Sequence, residues 1–252
     1  MSRTLLVSLI LAAGAAGCSE SMAPPTNPTP TSEVATATPP PAPAPVPVPV
    51  PVPPPPAPRS ARYEVTFEST WSESTHPSDF PSNAHYSGLV GGTHSNRVTF
   101  WREGDLASDG IQNMAERGSQ SPLTGEVGQA MGLGSAEYVL SGGALGTTPG
   151  VIRLEFDITQ DFSLVTLVTM VAPSPDWFVG VSGLPLFENG QWTDLRMVTL
   201  LPYDAGTDSG SSYRSADEAT TPRQPIRQIT GFPMIYNGAV APFGTFTFRK
   251  IG

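Results

Sequence analysis

The chain has 252 residues, with 29 Pro, 25 Gly, a single Cys, 13 basic and 22 acidic side chains, and a net charge of -9. One cysteine excludes an intrachain disulfide, and the acidic balance, with Lys250 as the only lysine, excludes nucleic acid as a partner while leaving room for a divalent cation. Seventeen of the 29 prolines lie between Pro24 and Pro58, so the first quarter is no part of a packed core and residues 61–252 are expected to form one domain.

Arg3 supplies a positive start, and Leu5 to Ala16 form a run of about twelve apolar or small residues, short of the ~20 that span a bilayer. Residues 1–18 therefore read as a signal peptide. Its end, Gly14-Ala15-Ala16-Gly17-Cys18, resembles a bacterial lipoprotein cleavage box, which implies that Cys18 carries the lipid and holds the protein at the membrane. The plainer alternative is ordinary signal cleavage that leaves an incidental Cys. Ser19 after the Cys, where Asp would signal retention, resembles outer-membrane sorting, so the expected address is exported and anchored at the cell surface. Residues 19–60 read as a spacer. Pro39 to Pro58 is a proline-alanine-valine tract that lacks the N–H donors of sheet or helix and suits polyproline II. At ~3.1 Å per residue its twenty residues reach on the order of 60 Å.

From Arg62 the pattern changes. Tyr63, Val65 and Phe67 alternate with polar residues, as do Phe246 and Phe248 near the other end, so both termini of the domain read as strands. Between them Arg97 to Trp101, Val151 to Ile158, Leu164 to Val171, Trp177 to Val181, Arg196 to Leu201 and Ile226 to Ile229 give further short strands, most of them separated by Gly, Pro, Asn or Asp. Helical spacing is confined to Ser108 to Arg117 and to Pro122 to Met131. The expected fold class is all-β, an antiparallel β-sandwich with one or two short inserted helices. Residues 132–150, rich in Gly, Ser and Ala, read as a mobile loop.

Two strings in order, Ser163-Leu164-Val165 followed by Pro173-Ser174-Pro175-Asp176-Trp177-Phe178-Val179-Gly180, and Pro202-Tyr203-Asp204-Ala205-Gly206-Thr207-Asp208-Ser209-Gly210, resemble the spondin domain family of F-spondin and mindin. Trp71-Ser72, His76-Pro77, Asp79-Phe80-Pro81, His94-Ser95 and Ala115-Glu116-Arg117-Gly118 extend the likeness over nearly all of residues 61–252. The resemblance implies a C2-like β-sandwich with a calcium ion at one end, held by Asp157, Asp176 and Asp204. Asp157 stands where the animal proteins have Glu, and Phe187 stands where they carry a cysteine.

Read without the family, the same residues are consistent with calcium but less specific. Calcium takes 6 to 8 oxygens, usually from carboxylates and carbonyls in irregular loops, and the proline-flanked Asp176 and the Asp204 to Asp208 turn supply both. Three carboxylates within ~4 to 5 Å repel by roughly 3 to 4 kcal/mol per pair, which a cation or a proton must offset. The competing reading is that Asp204 and Asp208 only close Asx turns. Asp208 is a further candidate ligand, and Glu155, in phase with Asp157, replaces it if the register slips.

Other constellations carry less. His76, His85 and His94 recur every nine residues, which is no zinc pattern. Ser182 and Ser209 lack a nucleophile elbow, and Glu73 with Asp79, or Glu116 with Glu126, have no glycosidase spacing. The four tryptophans read as core anchors. Two functions stay open at this point: a monomeric, non-catalytic recognition or adhesion module that contacts an extracellular protein or glycan, and an exported hydrolase of glycans or esters using a cleft among the acidic loops.

Overall fold

The computed structural model describes residues 56–252. The leader, Cys18 and most of the spacer lie outside them.

In chain order the first strands are β1 (Ser60–Ser69), β2 (His85–Tyr86) and β3 (Val90–His94), followed by helices α1 (Asp109–Arg117) and α2 (Ser121–Gly132). Then come β4 (Ala136–Ser141), β5 (Gly150–Thr159), β6 (Leu164–Ala172), β7 (Trp177–Pro185) and the hairpin of β8 (Phe187–Glu188) and β9 (Gln191–Trp192). The rest are β10 (Leu195–Leu200), β11 (Tyr203–Asp204), β12 (Arg227–Gln228), the hairpin of β13 (Ile235–Tyr236) and β14 (Ala239–Val240), and β15 (Gly244–Lys250).

Two antiparallel sheets face each other. One has four strands in the order β10-β15-β1-β5, and the other runs β12-β11-β7-β6-β3-β4 with β2 also against β6. Tyr63, Val65 and Phe67 of β1 point into the space between the sheets with Phe246 and Phe248 of β15, so the alternation of apolar and polar residues becomes an inner and an outer face. The other faces of β6 and β7 are covered as well: Val168, Met170 and Phe178 pack with Ile111, Met114, Leu123 and Val127 of the two helices. Burial on both faces is why Leu164 to Ala172 is almost unbroken in apolar residues. The expected sandwich is thus present, with a third layer of helices on the larger sheet.

Both helices start, and α1 stops, for local reasons. The Ser108 hydroxyl oxygen accepts the Ile111 N–H, and Glu126 of α2 accepts the Gly110 N–H at 2.7 Å and the Ser108 hydroxyl at 2.8 Å, so one carboxylate closes the start of α1 and ties the helices together. Gly118, in the left-handed region, ends α1, and Pro122 sits in the first turn of α2.

Two expectations are corrected. Residues 132–150 contain β4, which pairs along β3, and Leu140 of β4 reaches the core. Arg97 to Trp101 forms no strand: Phe100 and Trp101 are buried against the helix layer, so their hydrophobicity reports packing and no ladder. β3 itself was hidden because its centre is Gly91-Gly92. A Cβ on Gly91 would lie 1.9 Å from the Thr166 carbonyl oxygen, so close approach to β6 requires glycine there.

The last residues of the tract before β1 are tied to the domain. The Pro58 carbonyl accepts the Trp192 indole N–H at 2.7 Å and the Gln160 amide at 2.9 Å. Among the described residues no helix is long and apolar enough to cross a membrane.

Candidate functional site

β7 begins immediately after the Pro173 to Asp176 turn, where the Ser174 hydroxyl oxygen accepts the Trp177 N–H at 3.0 Å. β11 pairs with that first part of β7, placing Asp204 opposite Trp177, and the Asp176 carbonyl accepts the Ala205 N–H at 3.1 Å. Asp176 and Asp204 therefore meet at one end of the sandwich.

The loop after β11 wraps the Asp176 carboxylate. Its Oδ2 accepts the N–H groups of Thr207 (2.7 Å) and Asp208 (3.0 Å) and the Thr207 hydroxyl (3.3 Å). Gly206 makes the wrap possible at φ +75°, where a Cβ would lie 2.0 Å from the Gln224 carbonyl oxygen. Asp176 is fully enclosed (0% exposed), and its Oδ1 has no hydrogen-bond partner. Burial, with Asp204 beside it, pushes its carboxyl up to about 6 against the pull of the loop amides.

The other two loop aspartates are differently engaged. Asp204, also buried, accepts the Gly206 N–H through Oδ1 and the Arg227 guanidinium through Oδ2, each at 2.8 Å. Asp208 spends both oxygens on backbone amides, Gly210 and Glu218, each at 2.8 Å. Its side chain therefore does turn chemistry and fixes the loop around Asp176.

Asp157 is not brought to this cluster. Trp71, just past β1, and Trp177 beside the cluster both pack on Tyr213, and β5 starts at that end, with Gly150 opposite Ser69, and runs away from it. Asp157 lies close to the far end, on the exposed face of the four-stranded sheet, where the Arg62 guanidinium donates to both its oxygens at 3.0 and 3.1 Å. Glu155, the substitute, is held by the same Arg62. Among the described residues no three His, Cys, Asp or Glu side chains converge closely enough to hold a metal ion by themselves. The correction has a topological cause: spacing in the chain does not reveal which way a strand runs.

What remains still fits a hard cation. A water-excluded carboxylate with one unpartnered oxygen beside a second carboxylate is the donor chemistry calcium takes, with backbone carbonyls and water as the usual remaining ligands. Arg227 and Thr207 carry this site and were not singled out in the sequence. Thr207 lay inside a recognised string, whereas Arg227 lies in the expected strand Ile226 to Ile229 and is brought in from 23 residues away by pairing with β11, a partner that the sequence does not name.

The three histidines are apart. His76 packs on Phe243 and is held by Thr75 and the Ala241 carbonyl, His94 is bound to Thr166 and the Ser95 carbonyl, and His85 contacts the Asn83 carbonyl. The Ser182 hydroxyl donates to the Trp101 carbonyl and that of Ser209 to the Glu218 carbonyl. All four tryptophans are buried.

The Spondin_N family model matches residues 61–243. Spondin-2 of Rattus norvegicus is 38% identical over 175 residues, and Spondin-2 of Homo sapiens 37%, each match covering 68% of this chain and 53% of the relative. Spondin-1 of Bos taurus is 36% identical over 181 residues, which is 68% of this chain and 22% of that protein. The chain thus spans about half the length of the former relatives and under a quarter of the latter. With strands, loops and matched residues in agreement, the chain belongs to the Spondin_N family.

Proposed function

We infer that this is an exported, non-catalytic recognition module whose acidic loops bind calcium through Asp176 and Asp204, and whose N-terminal Cys18 carries a lipid anchor to the membrane. The observation that supports it best is the enclosed Asp176 carboxylate, with an unpartnered Oδ1 beside a second carboxylate in a loop shaped around it. Calcium there has a structural role: it neutralises two buried carboxylates and makes rigid the loops that form one end of the sandwich. Arg227 already offsets part of the charge on Asp204, which leaves the Asp176 carboxylate as the principal charge for the cation to neutralise. The partner class is an extracellular protein or glycan, and the domain acts as a monomer.

The test is the melting temperature of the protein with about 1 mM calcium and with excess chelator, a concentration suited to extracellular calcium modules. At about 10 times its Kd the cation adds about 1.4 kcal/mol, a few degrees for a domain of this size. The expected result is a calcium-dependent rise that Asp176→Ala and Asp204→Ala each lose. A rise kept by both variants, or none in the natural sequence, overturns the cation site.

A further inference from the structure

We propose that Arg227 is a displaceable counter-ion built into the acidic loops: it neutralises Asp204 where calcium is scarce, yields that carboxylate to calcium where it is plentiful, and so sets the concentration at which the domain loads.

The register of a two-residue ladder puts Arg227 in place. β12 pairs with β11 so that Arg227 stands directly opposite Asp204, and its Nη2 meets Oδ2 at 2.8 Å. The grip is a single one. The other Asp204 oxygen accepts the Gly206 N–H, and the two-pronged clasp that arginine forms with an open carboxylate is absent. Arg62 shows the contrast, since it donates to both oxygens of Asp157 and also to Glu155. The Arg227 side chain is 70% exposed against 9% for Asp204, and among the described residues Asp204 is its only side-chain hydrogen-bond partner. A guanidinium held this way can turn into water with little packing to lose. The main chain on either side stays fixed, by the Ile226 N–H on the Asp105 carbonyl and the Ile229 N–H on the Pro202 carbonyl.

Local charge favours the exchange. The other charged groups around Asp204 are acidic: Asp176, Asp208 with both oxygens on backbone amides, and Glu103 against the Gln228 N–H. Among the described residues Arg227 is the only basic side chain in an ion pair with any of them. It reaches one carboxylate and leaves the Asp176 Oδ1 unpartnered. Calcium carries twice the charge and takes 6 to 8 oxygens at once, so in place of Arg227 it neutralises more than the guanidinium does. With Arg227 still against Asp204 the two cations would repel. A cavity of about 370 Å³, lined by both members of the ion pair with Ser209, Ser211, Gln228 and Phe232, gives the exchange room. Ligand charge is what tunes calcium sites between tight and weak, and an internal cation moves this one toward the ~0.1 to 1 mM range of extracellular modules. The proposal rests on the calcium reading of Asp176 and Asp204 and adds what controls it.

The experiment measures calcium binding to the full chain by isothermal titration calorimetry for the natural sequence, Arg227→Gln and Arg227→Lys, with melting temperatures in chelator and in saturating calcium. Arg227→Gln is expected to bind calcium about tenfold more tightly, to melt below the natural chain in chelator, and to melt with it in saturating calcium. Arg227→Lys keeps a cation able to make the same single bond, and is expected to bind within about twofold of the natural chain. In the natural chain, modification of Arg227 by phenylglyoxal, followed by peptide mass spectrometry, is expected to speed up when calcium binds. That measurement needs no variant to fold. Equal or weaker calcium binding by Arg227→Gln, a Lys variant as tight as the Gln variant, or slower modification in calcium overturns the proposal and leaves the cation site standing. No calcium bound by either the natural chain or Arg227→Gln removes the site itself, and the proposal with it.

Discussion

The two ends of the sandwich hold aspartates of opposite character. At one end Asp157 lies on the open face of the four-stranded sheet, half exposed and met squarely by Arg62. At the other end Asp176 is sealed beneath its own loop, one oxygen saturated by amides and the other unpartnered. Neither the residue type nor its distance along the chain distinguishes them. What does is whether the chain folds its own amides over the carboxylate. The exposed pair is screened by water and worth little, whereas the enclosed group must be stabilised by a cation or hold its proton.

The largest effect that would sharpen this contrast is one of pH. Asp176 has a folded pKa of about 6 against 3.8 in the unfolded chain, so its contribution is fully present below pH 3.8 and lost as pH rises through 6, about 3 kcal/mol in all. Buried His76 has the reverse sign: its pKa is lowered from 6.5 to about 4 by burial, so it contributes above pH 6.5 and loses that contribution as pH falls through 4. In chelator the two slopes oppose each other. Denaturant titrations from pH 4 to 7 should therefore show stability rising with pH in Asp176→Asn and falling with pH in His76→Gln, relative to the natural chain. Parallel profiles in all three would refute the assignment.

Calcium comes next. Calcium at about 100 times its Kd should suppress the Asp176 slope and add about 2.7 kcal/mol to the natural chain at pH 7, and nothing to Asp176→Asn, by calorimetry. Asp157→Ala should keep the full calcium response. If Asp157→Ala abolishes it, the two ends are not independent and the contrast fails.

The smallest effect is on the exposed face. Arg62→Ala, which unpairs Asp157 and Glu155 together, should shift the melting temperature by at most about 2 °C, and less in high salt. A larger, salt-insensitive loss would mean that this face is shielded from water.

How much could be read beforehand differs between these regions for physical reasons. The long strands β1, β5 and β15 announced themselves because one face is buried and the other wet, which writes a period of two into the chain. β3 and β4 did not. Gly91 and Gly92 carry no alternation, and the apolar residues of β4 sit in a stretch whose Gly and Ser mimic a loop. The loop cluster was legible through the strings around Asp176 and Asp204, but the partition of labour inside it was not. That Asp208 serves amides, that Arg227 arrives from another strand, and that Asp157 is carried to the far end by the direction of β5 are all products of tertiary pairing.

The anchored Pro58 carbonyl has a mechanical consequence. The chain enters at the Asp157 end, where Trp192 and Gln160 grip it, and then becomes β1, flanked along its length by both β5 and β15. Tension from the N-terminal side against a load held at the Asp176 end would run along β1. It would strain the two ladders in shear, all their hydrogen bonds sharing the force, instead of peeling them one at a time. A domain strung this way is suited to bearing a pull applied between its N-terminal side and its acidic loops.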